Sequence, residues 1–332
     1  MSKEEIIQEI QNRKRRMAIC YDFDKTLSPD DMQAFTIIPA LGMDKDEFWA
    51  ASNKFAKENE MDKNLAWMYK IYYLSIAGET SIKKDYFIEA GSKIPLYKGV
   101  EKWFDNVNLY GAKHNIEVEH YIISSGLKEI IEGSKIAKKF KRIYASSYTY
   151  SPDGVAKWPA QAVNYTNKTQ YIFRIAKGKF DVYDDSVNDS MKDSDLYIPY
   201  ENIVYIGDSA TDIPCMRLVK SRGGYSIGVY DPDKQMKDNV YKLYADGRLS
   251  FFTAADYSPK AELMTFIKQI IDEIDAKENI KTEQQILNID ASFYKMENSI
   301  QTLFEKYGTS IPKKEQNKIK KNMSELKDFF EK

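Results

Sequence analysis

Five short, β-rich apolar runs punctuate the chain: "MAICYDF" (17–23), "VEHYIIS" (118–124), "RIYASS" (142–147), "NIVYIG" (202–207) and "GYSIGVY" (224–230). Each is nearly continuous rather than alternating, and stretches of helical periodicity lie between them. Strands apolar on both faces belong inside a parallel sheet covered by helices, so the pattern predicts a doubly wound, Rossmann-like α/β fold. Alternation around a Pro-Asp-Gly turn in "SYTYSPDGVAKWPAQAV" (147–163) predicts a hairpin or flap. Between Asp30 and Pro95 no strand pattern occurs, only helical spacing rich in aromatics such as Phe48, Trp49, Trp67, Tyr69, Tyr72, Tyr73 and Phe87. That segment reads as a helical insertion over the end of the first strand, its aromatics mostly serving as its own small core. Residues 179–201 are acidic and weakly patterned and read as a solvated loop, with no ligand series suited to calcium.

From Pro259 onward the chain reads as purely helical. Apolar residues at Ile286, Ile289, Phe293, Met296, Ile300, Leu303 and Tyr307 alternate steps of three and four, and Thr282 with Gln285 predicts a capping box at the start of that stripe. "YGTSIP" interrupts it before Ile319, Met323, Leu326 and Phe330 resume. A helical hairpin docked on the core and a short seam pairing two copies into a homodimer both satisfy this spacing. The expected division is thus an α/β core over 1–29 and 96–258, a helical cap over 30–95 and a helical extension over 259–332.

Charge and composition narrow the chemistry. Lys+Arg 49 against Asp+Glu 50 leaves a net charge of -1, without the basic surplus of a nucleic-acid binder. No apolar run reaches the length of a membrane span. The basic cluster Arg13-Lys14-Arg15-Arg16 precedes an apolar stretch too short for a signal peptide. Cys20 and Cys215 have no zinc-type or CxxC spacing, which fits a reduced cytoplasm. With His114 and His120 the only histidines, catalysis falls to carboxylates, hydroxyls and lysines.

The first strand supplies them. "ICYDFDKTLS" ends a buried run on Asp22 and Asp24, at the strand end where ligands bind in doubly wound sheets. A carboxylate there can attack phosphorus, and a second can protonate the leaving oxygen and later activate water. Two anions facing a phosphate dianion call for a hard cation such as Mg²⁺. "YIISSG" brings Ser124, Ser125 and Gly126 to another strand end, where a hydroxyl and free N–H groups can cradle phosphoryl oxygens. "NYTNKTQ" places Lys168 at a helix start, and "IVYIGDSATDIP" ends a strand on Asp208 with Asp212 four residues on. Each of these alone reads equally as a turn, a cap or a surface residue; the ordered set does not.

Together "DFDKTL", "IISSG", Lys168 in "NKTQ" and "GDSATD" resemble the four motifs of the haloacid dehalogenase (HAD) superfamily, over residues 17 to about 230. "DGVAKWPAQAV" and "IPCMRLVKSRGGYSIGVY" further resemble uncharacterised bacterial hydrolases near the phosphoserine phosphatases. The resemblance implies a Mg²⁺-dependent phosphatase acting through an aspartyl-phosphate on a small phosphorylated metabolite. It implies Asp22 as nucleophile and Asp24 as general acid/base with its backbone carbonyl facing the metal. Thr26 would brace the loop at the phosphate, held by Ser124, Ser125 and Lys168; Asp208 would ligate Mg²⁺, supported by Asp212 directly or through water. A haloalkanoate dehalogenase would lack the second aspartate. A cation-pump reading fails at Leu27, where glycine is expected, and on the lack of membrane segments. A phosphomutase of the same fold, or a non-enzymatic interaction protein using its terminal helices, stand as alternatives.

Overall fold

The computed structural model describes residues 3–76, 83–234, 237–307, 312, 314 and 315. Among them are seven strands in one sheet: β1 (Arg15–Tyr21), β2 (Ile116–Leu127), β3 (Arg142–Tyr150), β4 (Ala156–Gln161), β5 (Ile203–Gly207), β6 (Tyr225–Tyr230) and β7 (Phe251–Ala254), ordered β4-β3-β2-β1-β5-β6-β7. The pairs β1–β5, β2–β3, β5–β6 and β6–β7 are parallel, and β3–β4 is antiparallel. The expected α/β sheet is therefore present, and the flap over 147–163 is the β3–β4 hairpin at its edge. The strand β7 carries no clear pattern in "SFFTA" and was not anticipated; only Thr253 of its four residues is buried.

The apolar runs of β1 and β5 are buried because both lie mid-sheet, with the register Ala18↔Ile203 to Tyr21↔Ile206. Strand order turns back at β1: the chain adds β2, β3 and β4 on one side and β5, β6 and β7 on the other. That reversal is where an open α/β sheet leaves a crevice at its carboxyl edge.

The helices are α1 (Lys3–Gln11), α2 (Met32–Phe35), α3 (Ile37–Ala40), α4 (Lys45–Glu58), α5 (Lys63–Ile76), α6 (Lys84–Gly91), α7 (Val100–Lys113), α8 (Lys128–Gly133), α9 (Thr169–Lys177), α10 (Ile213–Ser221), α11 (Asp238–Ala245) and α12 (Glu262–Tyr307). Helices α2 to α6 form the insertion, helical as expected in its described residues. It is tied down at several points. A Cβ on Gly91 would stand 2.0 Å from Ile130 O, and one on Gly133 1.9 Å from Ile88 O, so α6 and α8 meet backbone to backbone. The Tyr148 hydroxyl donates to Met68 O at 2.7 Å, and Asn164 Nδ2 donates to Asp62 Oδ2 at 3.0 Å.

By its contacts the chain falls into two compact units, 16–270 and 1–15 with 271–332. Residues 1–15, assigned to the core from sequence, thus group with the C-terminal residues, and the insertion groups with the sheet. Within the smaller unit Lys3 pairs with Asp290 at 2.9 Å, and Arg15 with Asp275 at 2.7 Å and Asn279 at 2.7 Å. The capping box expected at Thr282 and Gln285 does not start a helix, because α12 runs unbroken through both. Good helix formers surround Thr282, and an interior threonine costs only about 0.5 kcal/mol against them. Along the expected stripe Ile286, Ile289, Phe293 and Ile300 are half-buried, Met296 and Leu303 exposed. The second stripe, Ile319 to Phe330, lies outside the described residues. No described helix is long and apolar enough to cross a membrane.

The acidic segment 179–201 is largely exposed, and its backbone is gathered around two cations. The buried Arg174 guanidinium donates to the carbonyls of Asp181 at 2.7 Å, Val182 at 2.9 Å and Asp184 at 2.9 Å. Lys177 Nζ donates to the carbonyls of Val187 and Asp189, both at 2.7 Å.

Candidate active site

Three neighbouring strands, β2, β1 and β5, deliver the predicted residues to one crevice. Asp22 directly follows β1, its N–H still pairing with Ile206 O at 3.0 Å. The chain then turns so tightly that Phe23 O accepts the N–H groups of Thr26, Leu27 and Ser28 at 3.3, 2.9 and 3.1 Å. The turn requires Lys25 at φ 57, a left-handed conformation that costs a non-glycine residue on the order of 1 kcal/mol. It folds Asp24 back beside Asp22, where Asp24 Oδ1 accepts the Met32 N–H at 2.8 Å.

On β2 the pairing with β3 slips between Ile123↔Tyr144 and Leu127↔Ser146, so "SSG" bulges out of the ladder. Ser124 Oγ accepts the Gly126 N–H at 3.0 Å, and the buried Ser125 hydroxyl has no partner among the described residues. A Cβ on Gly126 would lie 2.2 Å from Met32 Cε, the end of a flexible side chain, and 3.0 Å from Asp24 Oδ2.

Beneath this wall sits a wholly buried ion-pair set. Lys168, just ahead of α9, is 2.8 Å from Asp212 Oδ1 and 3.2 Å from Asp22 Oδ1. The contact to Asp212 is a hydrogen bond; the one to Asp22 is an ion pair only, leaving Asp22 Oδ1 buried without a hydrogen bond. Asp212 Oδ1 also accepts the Tyr205 hydroxyl at 2.8 Å, and its Oδ2 accepts the Ser209 N–H and hydroxyl, each at 3.3 Å. Gly207 leaves room for this, since a Cβ would stand 2.6 Å from Asp212 Oδ2. Thr26, fully buried, donates to Asp208 Oδ1 at 3.2 Å. It braces the loop as expected, with its hydroxyl on Asp208 rather than facing the crevice.

These surroundings shift the carboxyl groups. Burial pushes Asp22 up to about 6, with Lys168 pulling down and Asp212 pushing up. Burial, then the Asp31 and Asp22 carboxylates, holds Asp24 well above the usual range, against the Met32 N–H. Burial, with Asp212 and Asp22, raises Asp208 as well. Burial alone would lower Lys168, but Asp212 and Asp22 override it and keep the ammonium charged.

One oxygen each of Asp22, Asp208 and Asp212 lie within 4.8 Å of one another. Asp22 and Asp208, both raised by burial and then by neighbouring carboxylates, suit a hard divalent cation. Asp24 contributes no carboxylate oxygen to that cluster. Above it opens a pocket of about 280 Å³ whose core wall includes Asp22, Asp24, Ser124, Ser125, Gly126 and Asp208. The insertion adds Gln33, Trp49, Asn64 and Trp67 to the lining. None of these four was singled out from sequence as a site residue, since aromatics at helical spacing look alike in a core and in a pocket. Tyr205, which reads as strand core, was also missed. The histidines take no part: His120 is buried between Tyr21 and Asn108, and His114 caps the end of α7.

Fold and site define a hydrolase of the kind that works from paired aspartates at a sheet's carboxyl edge. Residues 19–217 match the haloacid dehalogenase-like hydrolase family, and the chain belongs to it. An uncharacterised protein of Borreliella burgdorferi is 25% identical over 298 residues, 78% of this chain and 98% of that protein. Among solved structures, a "probable phosphoserine phosphatase from vibrio cholerae" superposes with a TM-score of 0.50 at 13% identity, covering 82% of this chain and 73% of that one. A phospho-aspartyl intermediate analogue of phosphoserine phosphatase gives a TM-score of 0.48 at 17% identity, covering 77% of this chain and 99% of that one. At such identities the likeness is one of fold, and the fold is phosphoserine-phosphatase-like.

Proposed function

We propose that the protein hydrolyses phosphate monoesters of small molecules by way of an aspartyl-phosphate on Asp22, with Mg²⁺ as its metal. The observation that carries this reading is a buried and a half-buried carboxyl group, two residues apart, in opposite surroundings. Asp22 lies 3.2 Å from the Lys168 ammonium, whereas burial and the Asp31 and Asp22 carboxylates favour the protonated form of Asp24, against the Met32 N–H and Lys25.

In the first half-reaction an Asp22 oxygen bonds to phosphorus as the bond from phosphorus to the leaving oxygen breaks. Asp24 gives its proton to that oxygen, releasing the alcohol. In the second half Asp24, now a carboxylate, takes a proton from a water whose oxygen bonds to phosphorus. The bond to Asp22 breaks, inorganic phosphate leaves, and Asp24 carries the proton again. The Ser125 hydroxyl faces the phosphoryl oxygens, with Lys168 supplying positive charge from below.

Mg²⁺ would be held by Asp22 and Asp208 with the Asp24 carbonyl. Bound there it offsets the repulsion between carboxylates and phosphoryl oxygens. Both Asp212 oxygens are engaged by Lys168, Tyr205 and Ser209, so Asp212 acts by orienting Lys168. Purified protein should release phosphate from an aryl phosphate in Mg²⁺ and stop doing so in excess chelator. Full activity in chelator contradicts the metal; no release from any monoester in Mg²⁺ contradicts the phosphatase reading.

A further inference from the structure

The wall that faces the phosphoryl site from the insertion differs in character from the core wall. Trp67 is only 3% exposed and is fixed by a hydrogen bond from Nε1 to Asn64 Oδ1 at 3.3 Å. Asn64 in turn donates from Nδ2 to Val163 O at 2.7 Å, in the loop that leads to Lys168. This indole is therefore held in place by the same backbone that positions the catalytic lysine. Trp49, on α4, lines the same pocket, and its indole N–H is buried with no hydrogen-bond partner among the described residues. A buried donor left unpaired is costly, and a ligand acceptor would remove that cost. Gln33, 3% exposed, brings a side-chain amide to the same wall.

The charges on the lining are just as informative. Four carboxylates line the pocket, those of Asp22, Asp24, Asp31 and Asp208, against one cation, Lys25. Lys25 is bound to Asp31 at 2.8 Å. Lys45, from the insertion, is bound to Asp30 at 2.6 Å. A carboxylate or second phosphate on the leaving group would meet no unpaired cation among the described lining residues. A zwitterionic leaving group such as serine would leave its carboxylate facing repulsion. At about 280 Å³ the pocket is at the lower end of small-molecule sites, which run from about 300 to 1,000 Å³. It accommodates a phosphoryl group with one compact group beyond it.

We infer that the leaving group this pocket selects is an uncharged, flat ring carrying a hydrogen-bond acceptor, seated against Trp49 and Trp67. The substrate class is then a monoester of a compact aromatic alcohol, not phosphoserine or another charged aliphatic phosphate. The inference rests on the phosphatase reading above and adds the identity of the leaving group. Indole faces favour flat rings through stacking, and the unpaired Trp49 N–H favours rings with an acceptor over hydrocarbon rings.

The test uses the full-length, Mg²⁺-loaded protein with four esters: a pyrimidine nucleoside 5′-monophosphate, p-nitrophenyl phosphate, glycerol 2-phosphate and O-phosphoserine. Ring-bearing esters should exceed the two aliphatic ones in kcat/KM by about tenfold or more. The two ring esters separate a nucleoside preference from a simple aryl preference. Trp49→Ala should raise KM for the preferred ring ester by about 5- to 150-fold, the range of one lost stacking contact, and by a smaller factor for glycerol 2-phosphate. Trp49→Phe, which keeps a ring and loses the N–H, should fall between. Phosphoserine turned over as well as the ring esters, or one common factor of loss for all four in Trp49→Ala, overturns the inference and leaves the phosphatase standing. Failure of every ester to react in Mg²⁺ takes down the phosphatase reading and this one with it.

Discussion

Asp22 and Asp24 are chemically identical and lie within two residues of each other, yet the proposed reaction asks one to attack as an anion and the other to donate a proton. Position resolves this. Lys168 stands 3.2 Å from Asp22, while the Lys25 side chain, on the same turn as Asp24, is bound to Asp31. Replacing Asp24 with Asn removes the proton donor and the later base, effects worth on the order of 10²–10⁴-fold in kcat. The loss should be greatest for esters of poorly acidic alcohols, as measured in a series of leaving groups. An equal loss for good and poor leaving groups would mean that Asp24 is not the acid. Asp22, Asp24, Ser124, Ser125 and Asp208 were legible in the sequence as polar residues ending apolar runs, whereas Lys168 and Asp212 stood out only through the ordered set of motifs. Tyr205 and Thr26 were harder to read. Tyr205 sits inside an apolar run, and only the fold shows its hydroxyl reaching Asp212. Thr26 was visible, but its hydroxyl's choice of Asp208 over the crevice depends on the turn at Lys25.

Beneath the site a relay joins β1, β2 and α7. Trp103 Nε1 donates to Tyr21 Oη at 2.8 Å, Tyr21 Oη lies 2.9 Å from His120 Nδ1, and His120 Nε2 lies 2.9 Å from Asn108 Oδ1. A neutral imidazole with its hydrogen on Nε2 satisfies every partner. Burial holds His120 down at about 3, with Asp105 opposing and Lys139 adding to the shift. The unfolded chain, protonating near 6.5, therefore binds more protons than the folded one between these values. This contribution to stability is complete above about pH 6.5 and is lost as pH falls toward 3. Between pH 7 and pH 5 it should amount to about 2 kcal/mol. Urea unfolding of the wild type and of His120→Gln at both pH values should show that extra loss in the wild type alone; equal pH dependence would contradict it. Elements were legible in the sequence where a near-continuous apolar run stood out, as in β1, β2 and β5. The four-residue β7 left no pattern, and α12 passes through Thr282 because a capping sequence starts a helix only where the chain has not already formed one. The insertion was legible as helical, but which of its aromatics face the pocket depends on how α4 and α5 are set against the sheet.

Within the larger unit the insertion and the sheet enclose the carboxylates from both sides, with α6 and α8 in backbone contact and Asn64 and Asp62 tied to the loop ahead of Lys168. Such enclosure favours a chemistry in which a reactive intermediate is shielded from bulk water until it is needed. On the proposed reading a bound cation would offset the repulsion among Asp22, Asp208 and Asp212, with Lys168 already beside Asp22 and Asp212. The direct test is to capture the intermediate. Full-length protein in Mg²⁺ is mixed with a phosphate ester labelled in its phosphoryl group, quenched in acid and digested. A hydroxylamine-sensitive label on the peptide containing Asp22, absent in Asp22→Asn, is the expected result; turnover without a labelled enzyme, or label on Ser124 or Ser125, would contradict an aspartyl-phosphate mechanism.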